Sequence, residues 1–162
     1  MITFQSESTL LFKLLNIAFV TIYAIGSGLW VSTGDSWYRA LNAPSWQPPD
    51  WVFGVIWPYN FIVLGITGWQ VISQLGKSWG ITWLAIFAAT IVFALTWANL
   101  FYVRHNIGAA SISLSLVAFF TVPLLAIAFK TDWKYGLLLL PYQSWVTIAS
   151  FLSFSYFKLN RN

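Results

Sequence analysis

Apolar residues fall into five long stretches, separated by short segments that carry charge, glycine or proline. A helix needs about 20 mainly apolar residues to cross a membrane. No Asp, Glu, Lys or Arg occurs inside the stretches, as expected from the cost of placing a charge in hydrocarbon. The five stretches are Leu14–Val31, Trp51–Ile72, Gly80–Tyr102, Ile107–Phe129 and Tyr135–Phe157.

This pattern predicts an all-α fold: a multi-pass integral membrane protein with a five-transmembrane-helix bundle. The apolar runs have no period of two, which disfavours transmembrane β-strands. We expect one membrane domain over residues 1–162, because the stretches leave no room for a soluble domain. Short connections at Gly76–Ser78, Arg104–Asn106 and Lys130–Lys134 require antiparallel neighbours. The chain alone does not say which membrane holds it.

The first loop, residues 32–50, is longer than the others. A long loop in a small bundle is more often functional than idle, so we interpret it as a lid over a pocket. Its prolines push the residues before them out of the helical region, which predicts an extended segment. Asp50 is then suited to cap the second span. The alternative is an interfacial belt of Trp and Tyr at the lipid headgroups.

Two features of the membrane insertion stay open. The first stretch follows Lys13 as a signal peptide would, although Glu7 and the length of the apolar run favour a span. Basic residues give no positive-inside direction, because they divide equally between the two sides. Lys13, Lys77, Lys130 and Lys134 fall on one side, and Arg39, Arg104, Lys158 and Arg161 fall on the other.

Composition narrows the function. The chain is 59% apolar and only 7% charged, whereas soluble domains carry about 25% charged residues. It has no cysteine and one histidine, so thiol chemistry and a histidine-rich metal site are excluded. The eight Lys and Arg residues are scattered, which gives no nucleic-acid patch. Ion-coupled transport is disfavoured, because no ionisable acid or base lies within a span.

Aromatic residues on one face of the second stretch offer candidate chemistry. Trp57 and Phe61 lie one turn apart there, and the spacing predicts that they share a face. In the fifth stretch, Trp145 and Leu152 flank the small Ala149, which would leave room for a flat ligand. Trp97 adds an indole from the third stretch. Such stripes are also ordinary helix-packing core, so the spacing alone does not decide.

At these residues the chain resembles the translocator protein / tryptophan-rich sensory protein (TspO/MBR) family. The resemblance covers nearly the whole chain, in three blocks in the same order. They are Trp37-Tyr38, Leu41, Pro44-Ser45-Trp46-Gln47-Pro48-Pro49, Phe53 and Trp57; then Trp97-Ala98-Asn99-Leu100-Phe101-Tyr102; and then Pro141-Tyr142-Gln143-Ser144-Trp145-Val146.

The resemblance implies a five-helix homodimer that binds porphyrins or haem-related tetrapyrroles, sterols in some members, and synthetic isoquinoline or benzodiazepine ligands. Protoporphyrin or a related tetrapyrrole would be a ligand, with no further cofactor and no metal site expected. Carried over, the ligand-binding residues are Trp37, Tyr38, Pro44, Trp46, Trp57, Phe61, Trp97, Trp145, Ala149 and Leu152. We add Arg39, the basic residue of the first loop, as a partner for ligand carboxylates.

Two positions depart from the family pattern. Ala94 stands where the family usually has Asn, and Ser153 follows Leu152 where Asn is usual. Ala94 cannot supply a polar contact to a carbonyl-bearing ligand, so we expect weakened isoquinoline binding. Asn99 carries a side-chain amide five residues after Ala94, but this spacing places it in a different helical register. A weak sterol pattern, Leu152-x-x-x-Tyr156-x-Lys158, is also present.

Three hypotheses for the function follow. The leading one is a membrane receptor or carrier that binds a flat hydrophobic ligand such as protoporphyrin in a Trp-lined pocket within the bundle. The second is light- or oxygen-dependent breakdown of the bound tetrapyrrole, for which the chain supplies oxidisable tryptophans but no catalytic constellation, so no catalytic residue is named. The third is a regulatory or scaffolding membrane protein that acts through a partner.

Overall fold

A computed structural model gives the backbone of residues 2–31 and 34–161. Side chains are described for residue 7, residues 9–31 and residues 34–161. The first two residues of the predicted lid, 32–50, therefore lie outside the described residues, as do the two ends of the predicted 1–162 domain. No strand occurs in the described ranges, and the predicted all-α class is confirmed.

The chain forms five α-helices and one π-helix in the described ranges. Apolar helical segments long enough to cross a membrane include Thr9–Trp30, Ile107–Thr131 and Trp133–Asn160. The structure therefore agrees with an integral multi-pass membrane protein. The helices are α1 (Ile2–Trp30), α2 (Ser36–Ala40), α3 (Asp50–Ala98), the π-helix (Asn99–Val103), α4 (Ile107–Thr131) and α5 (Trp133–Asn160).

Helix α3 contains two membrane crossings. With the π-helix it forms an apolar segment of 54 residues, Asp50–Val103. At 1.5 Å per residue this is about 80 Å, more than twice the ~30 Å hydrocarbon layer. Gly76 divides it, with φ 80° and ψ −173°, backbone angles essentially reserved for glycine. The first limb, residues 50–75, and the second limb, residues 77–98, are thus two of the five crossings.

The bundle is organised around α3 and α4. Helix α4 packs against both α3 and α5, whereas α1 packs mainly on α3. Only 11% of the apolar membrane-spanning stretch of α1 is buried inside the protein, so this helix lies at the rim of the bundle. The innermost large side chains include Trp83, Phe87 and Tyr142.

A polar contact fastens α1 to α3. The Asn16 side chain donates to the Gly65 carbonyl (3.1 Å) and accepts from the Trp83 indole N–H (2.9 Å). Gly68 permits this close approach, because a Cβ there would lie 2.1 Å from Asn16 Oδ1 and 2.5 Å from Trp83 Nε1. Asn16 is fully buried, and the two bonds satisfy both ends of its amide.

Two local predictions about the first loop are corrected: its non-helical part begins after Ala40 rather than at Trp37, and Asp50 is not the cap of α3. Residues Ser36–Ala40 are helical rather than extended, because the prolines restrain only their own neighbours and the Asp35 carboxylate caps the helix by accepting from the Trp37 N–H (3.1 Å). Asp50 does not cap α3. Its N-cap is Pro49, and Asp50 is the first helical residue, where a negative charge suits the helix dipole.

Candidate ligand-binding site

A mainly apolar cavity of about 290 Å³, here called the main cavity, lies at the lid end of the bundle. Its walls come from the end of α1, the lid, the first limb of α3, the second limb with the π-helix, and α5. The lining residues are Val31, Tyr38, Asp50, Phe53, Gly54, Trp57, Trp97, Phe101, Tyr102, Trp145, Ala149, Leu152, Ser153 and Tyr156.

A second cavity of about 200 Å³, the side cavity, adjoins the main cavity. Trp57 and Trp97 line both, so two indoles from different limbs of α3 stand between the two spaces. The remaining walls of the side cavity are almost wholly apolar. Its lining residues are Tyr23, Ala24, Ser27, Gly28, Val31, Trp57, Phe61, Ala94, Trp97 and Leu114.

Helical spacing and small residues shape the main cavity. On α3, Phe53 and Trp57 lie one turn apart, and Gly54 beside them leaves open space where a side chain would project. Phe53 meets Trp145 edge-on at 5.1 Å between ring centroids. On α5, Ala149 lies one turn after Trp145 and presents only a methyl group. Aromatic walls with a small residue between them suit a flat ligand.

The π-helix brings two consecutive aromatic residues to the same cavity. Phe101 and Tyr102 both line it, although neighbours on an α-helix point about 100° apart. The wider turn also directs the Arg104 N–H to the Asn99 carbonyl (2.9 Å). Single-turn π-helices occur frequently at functional sites.

Two indole N–H groups at the main cavity have no hydrogen-bond partner in the described part of the chain. They are Nε1 of Trp97 and Nε1 of Trp145, both buried. Buried indole donors usually find an acceptor. A bound molecule that offers a carbonyl, carboxylate or nitrogen acceptor would satisfy them.

The lid is held by hydrogen bonds to the end of α5. The Asn160 amide accepts from the Asn42 N–H (2.8 Å) and donates to the Asn42 carbonyl (3.1 Å). The Tyr156 hydroxyl donates to Gln47 Oε1 and lies 3.3 Å from the Tyr38 hydroxyl. These contacts close one side of the main cavity.

An aromatic stack holds the base of the lid. Trp37 stacks on His105, with 3.8 Å between ring centroids and 10° between planes. His105 lies in the turn before α4 with φ 56°, a left-handed backbone angle in which histidine, like asparagine and aspartate, is enriched among non-glycine residues. Trp37 also meets Phe101 edge-on at 5.8 Å, so the lid contacts a wall residue of the main cavity.

The structure brings most of the sequence-predicted site residues together. Tyr38 from the lid and Trp57, Trp97, Trp145, Ala149 and Leu152 from the helices line the main cavity. Phe61 and Ala94 line the side cavity with Trp57 and Trp97.

The other four predicted residues line neither cavity. Trp37 belongs to the lid and stacks on His105. Pro44 is buried in the lid, whereas Arg39 is exposed at the end of α2 and Trp46 is 47% exposed. Pro44 and Trp46 lie in the irregular part of the loop, where side chains follow no fixed period, and the single turn of α2 was not predicted, so the sequence did not show which of these side chains turn inward.

Sequence reasoning missed several wall residues. Phe53 and Tyr156 could have been found, because each lies one turn from a predicted residue, Trp57 or Leu152. Phe101 could have been found in the same way, because it lies one turn after the predicted Trp97, whereas Tyr102 could not, because no feature of the sequence indicates the π-helix. Asp50 was expected to be a helix cap rather than a wall residue.

The departures from the family pattern have distinct surroundings. Ala94 is buried at the side cavity, with 4% of its surface exposed. The Ser153 hydroxyl lies 2.9 Å from the Ser111 hydroxyl, and Asn99 accepts from the Arg104 Nε–H (3.0 Å). Asn99 therefore does not replace the missing amide at Ala94. Tyr156 of the sterol pattern faces the main cavity rather than lipid.

No group of three or more His, Cys, Asp or Glu side chains in the described residues is placed to hold a metal ion. The main cavity offers aromatic faces, tyrosine hydroxyls and two indole N–H groups without a partner among the described residues, all of which are groups that can contact an organic ligand.

Comparisons with known proteins agree with this architecture. A family model described as TspO/MBR family matches residues 14–159. Protein CrtK of Rhodobacter capsulatus is 29% identical over 145 residues, which cover 89% of this chain and 91% of the relative. Tryptophan-rich protein TspO of Chlorobaculum tepidum is 31% identical, covering 77% and 80% of the two chains. Translocator protein of Homo sapiens is 25% identical, covering 84% and 82%.

Proposed function

Since the chain belongs to the TspO/MBR family of membrane proteins, we propose that it is a membrane receptor or carrier that binds a tetrapyrrole or a similar flat hydrophobic ligand. The ligand lies in the main cavity. Its macrocycle faces the indoles of Trp57, Trp97 and Trp145. Its acceptor atoms accept hydrogen bonds from the indole N–H groups of Trp97 and Trp145.

The observation that carries the proposal is the enclosure of an apolar space by indoles from three crossings. Trp57 comes from the first limb of α3, Trp97 from the second limb, and Trp145 from α5. Ligand pockets are typically concave, apolar and about 300–1,000 Å³. The main cavity lies near the lower limit of this range, and the side cavity adds space beyond Trp57 and Trp97.

The experiment is an absorbance titration of the purified protein with protoporphyrin, followed at the intense near-ultraviolet band of the macrocycle. Ala149→Phe fills the main cavity, and we expect at least a tenfold loss of affinity. Ile148→Phe is the matched control, because Ile148 is 43% exposed and does not line the cavity. Equal affinities for wild type and both variants would contradict binding in the main cavity.

The same protein–protoporphyrin complex distinguishes a receptor or carrier from an enzyme that breaks the ligand down. Illumination of bound protoporphyrin in air either leaves its spectrum intact, as we expect for a receptor or carrier, or yields a product spectrum. If a product forms and disappears in Trp145→Phe, the enzymatic alternative is favoured over simple binding.

A further inference from the structure

The main cavity has an unbalanced charge. Among its lining residues in the described part of the chain, Asp50 is the one that carries a formal charge at neutral pH. No lysine, arginine or histidine of the described ranges contributes to these walls. A ligand therefore meets a carboxylate and no compensating cation.

Asp50 occupies the rim of the cavity, in line with its aromatic wall. It is the first residue of α3, one turn before Phe53 and Gly54. Tyr156 lines the same cavity from α5. The N-terminus of α3 contributes a partial positive charge of about half a unit, which is smaller than the full negative charge of the carboxylate.

The described basic residues near the lid do not line the main cavity, and Lys158 in the last turn of α5 is likewise exposed and lines neither cavity. Arg39, which the sequence indicated as a partner for ligand carboxylates, is exposed and lines neither cavity. The Arg104 Nε–H is directed to Asn99. Arg161 lies with His105 at a separate shallow groove formed by the turn before α4 and the end of α5.

We propose that Asp50 is a specificity-determining residue, which selects ligands whose polar end is cationic or a neutral hydrogen-bond donor and disfavours ligands that place a carboxylate at the rim. The proposal rests on the proposed function, because it concerns the same cavity. The ligand class is a flat apolar ring system with amine, amide or hydroxyl substituents. A dicarboxylate tetrapyrrole binds less well, or with its acid groups turned away from Asp50.

The test uses three ligands with one macrocycle: protoporphyrin, its dimethyl ester, and its diamide with two aminoethyl arms. The measured quantity is the ratio of the affinity for the dicationic diamide to that for the dicarboxylate. This ratio, compared between protein variants, cancels differences in how the ligands partition into detergent. Titrations at low and high ionic strength show whether any difference is electrostatic.

We expect Asp50→Asn to lower this ratio about two- to fivefold at low salt, the range for partly exposed charges. The neutral ester measures any change in affinity that does not depend on ligand charge. Asp50→Glu keeps the charge and should keep the ratio. Asp35→Asn is the matched control. It removes the same charge from the start of the lid, lines neither cavity, and retains a residue suited to capping α2.

An unchanged ratio in Asp50→Asn, or an equal fall in Asp35→Asn, would overturn the proposal. Failure of the proposed function gives a different result, because none of the three macrocycles would then bind to wild-type protein.

Discussion

The hydrogen bonds between the lid and α5 give a prediction about ligand release. Asn160→Ala removes the acceptor of the Asn42 N–H and the donor to the Asn42 carbonyl. Asn160 lies at the end of α5 and lines neither the main nor the side cavity. The substitution therefore weakens the closed lid without changing the walls that hold the ligand.

The size of the effect follows from the two bonds. Each intramolecular hydrogen bond contributes about 0.5–1.5 kcal/mol net, and partly exposed bonds lie at the lower end of that range. Losing both costs the closed lid about 1–2 kcal/mol, which raises its opening equilibrium about 5- to 30-fold. If the ligand leaves through the opened lid, its dissociation rate should rise by a similar factor.

The assay is stopped-flow displacement of bound protoporphyrin by an excess of a competing macrocycle. Hydrogen exchange at the Asn42 amide should accelerate in parallel. Ser155→Ala is the control, because the Ser155 hydroxyl donates within α5 to the Phe151 carbonyl. A dissociation rate within twofold of wild type in Asn160→Ala, or an equal rise in Ser155→Ala, would refute the lid as the exit.

Three further predictions concern other parts of the bundle. Gly68→Ala should lower the free energy of unfolding by about 1–3 kcal/mol in detergent, because the added Cβ would collide with Asn16 Oδ1. Gly28→Ala is the control, because a Cβ there meets nothing within 4 Å. Equal unfolding midpoints for the two variants would contradict the close approach at Gly68. Gly76→Ala should lower the free energy of unfolding by ~1–3 kcal/mol, because alanine is strained at the φ of 80° found at this position. Thermal stability equal to that of wild type would show that alanine adopts this turn without strain. Ala94→Asn should strengthen binding of a carbonyl-bearing isoquinoline about fivefold, measured by competition; no gain would mean that the amide at this position does not reach the ligand.

The membrane-spanning helices were predictable because charge is confined to their ends. Hydrocarbon excludes ionised groups, so runs such as Ile107–Phe129 are visible in the sequence without knowledge of packing. The turn at Gly76 has a local signal as well, since glycine, lysine and serine interrupt two apolar runs. The short helix Ser36–Ala40 was missed because the prolines further along the loop dominated its interpretation.

The cavity was only partly predictable. Trp57, Trp145 and Ala149 could be identified because helical periodicity and the family blocks indicate the same faces. The contribution of Tyr102 depends on the π-helix, and the seating of the lid depends on Asn160, which is distant in sequence from Asn42. Such contacts are decided by tertiary packing, which local patterns do not encode.

The central claim is that a flat ligand is enclosed among indoles from separate crossings, and the most direct measurement is a map of the protein–protoporphyrin complex by crystallography or electron cryomicroscopy. We expect macrocycle density within van der Waals contact of Trp57, Trp97 and Trp145, beneath the lid. Density confined to the outer surface, for example beside Trp51, which is 71% exposed, with the main cavity empty, would contradict the claim.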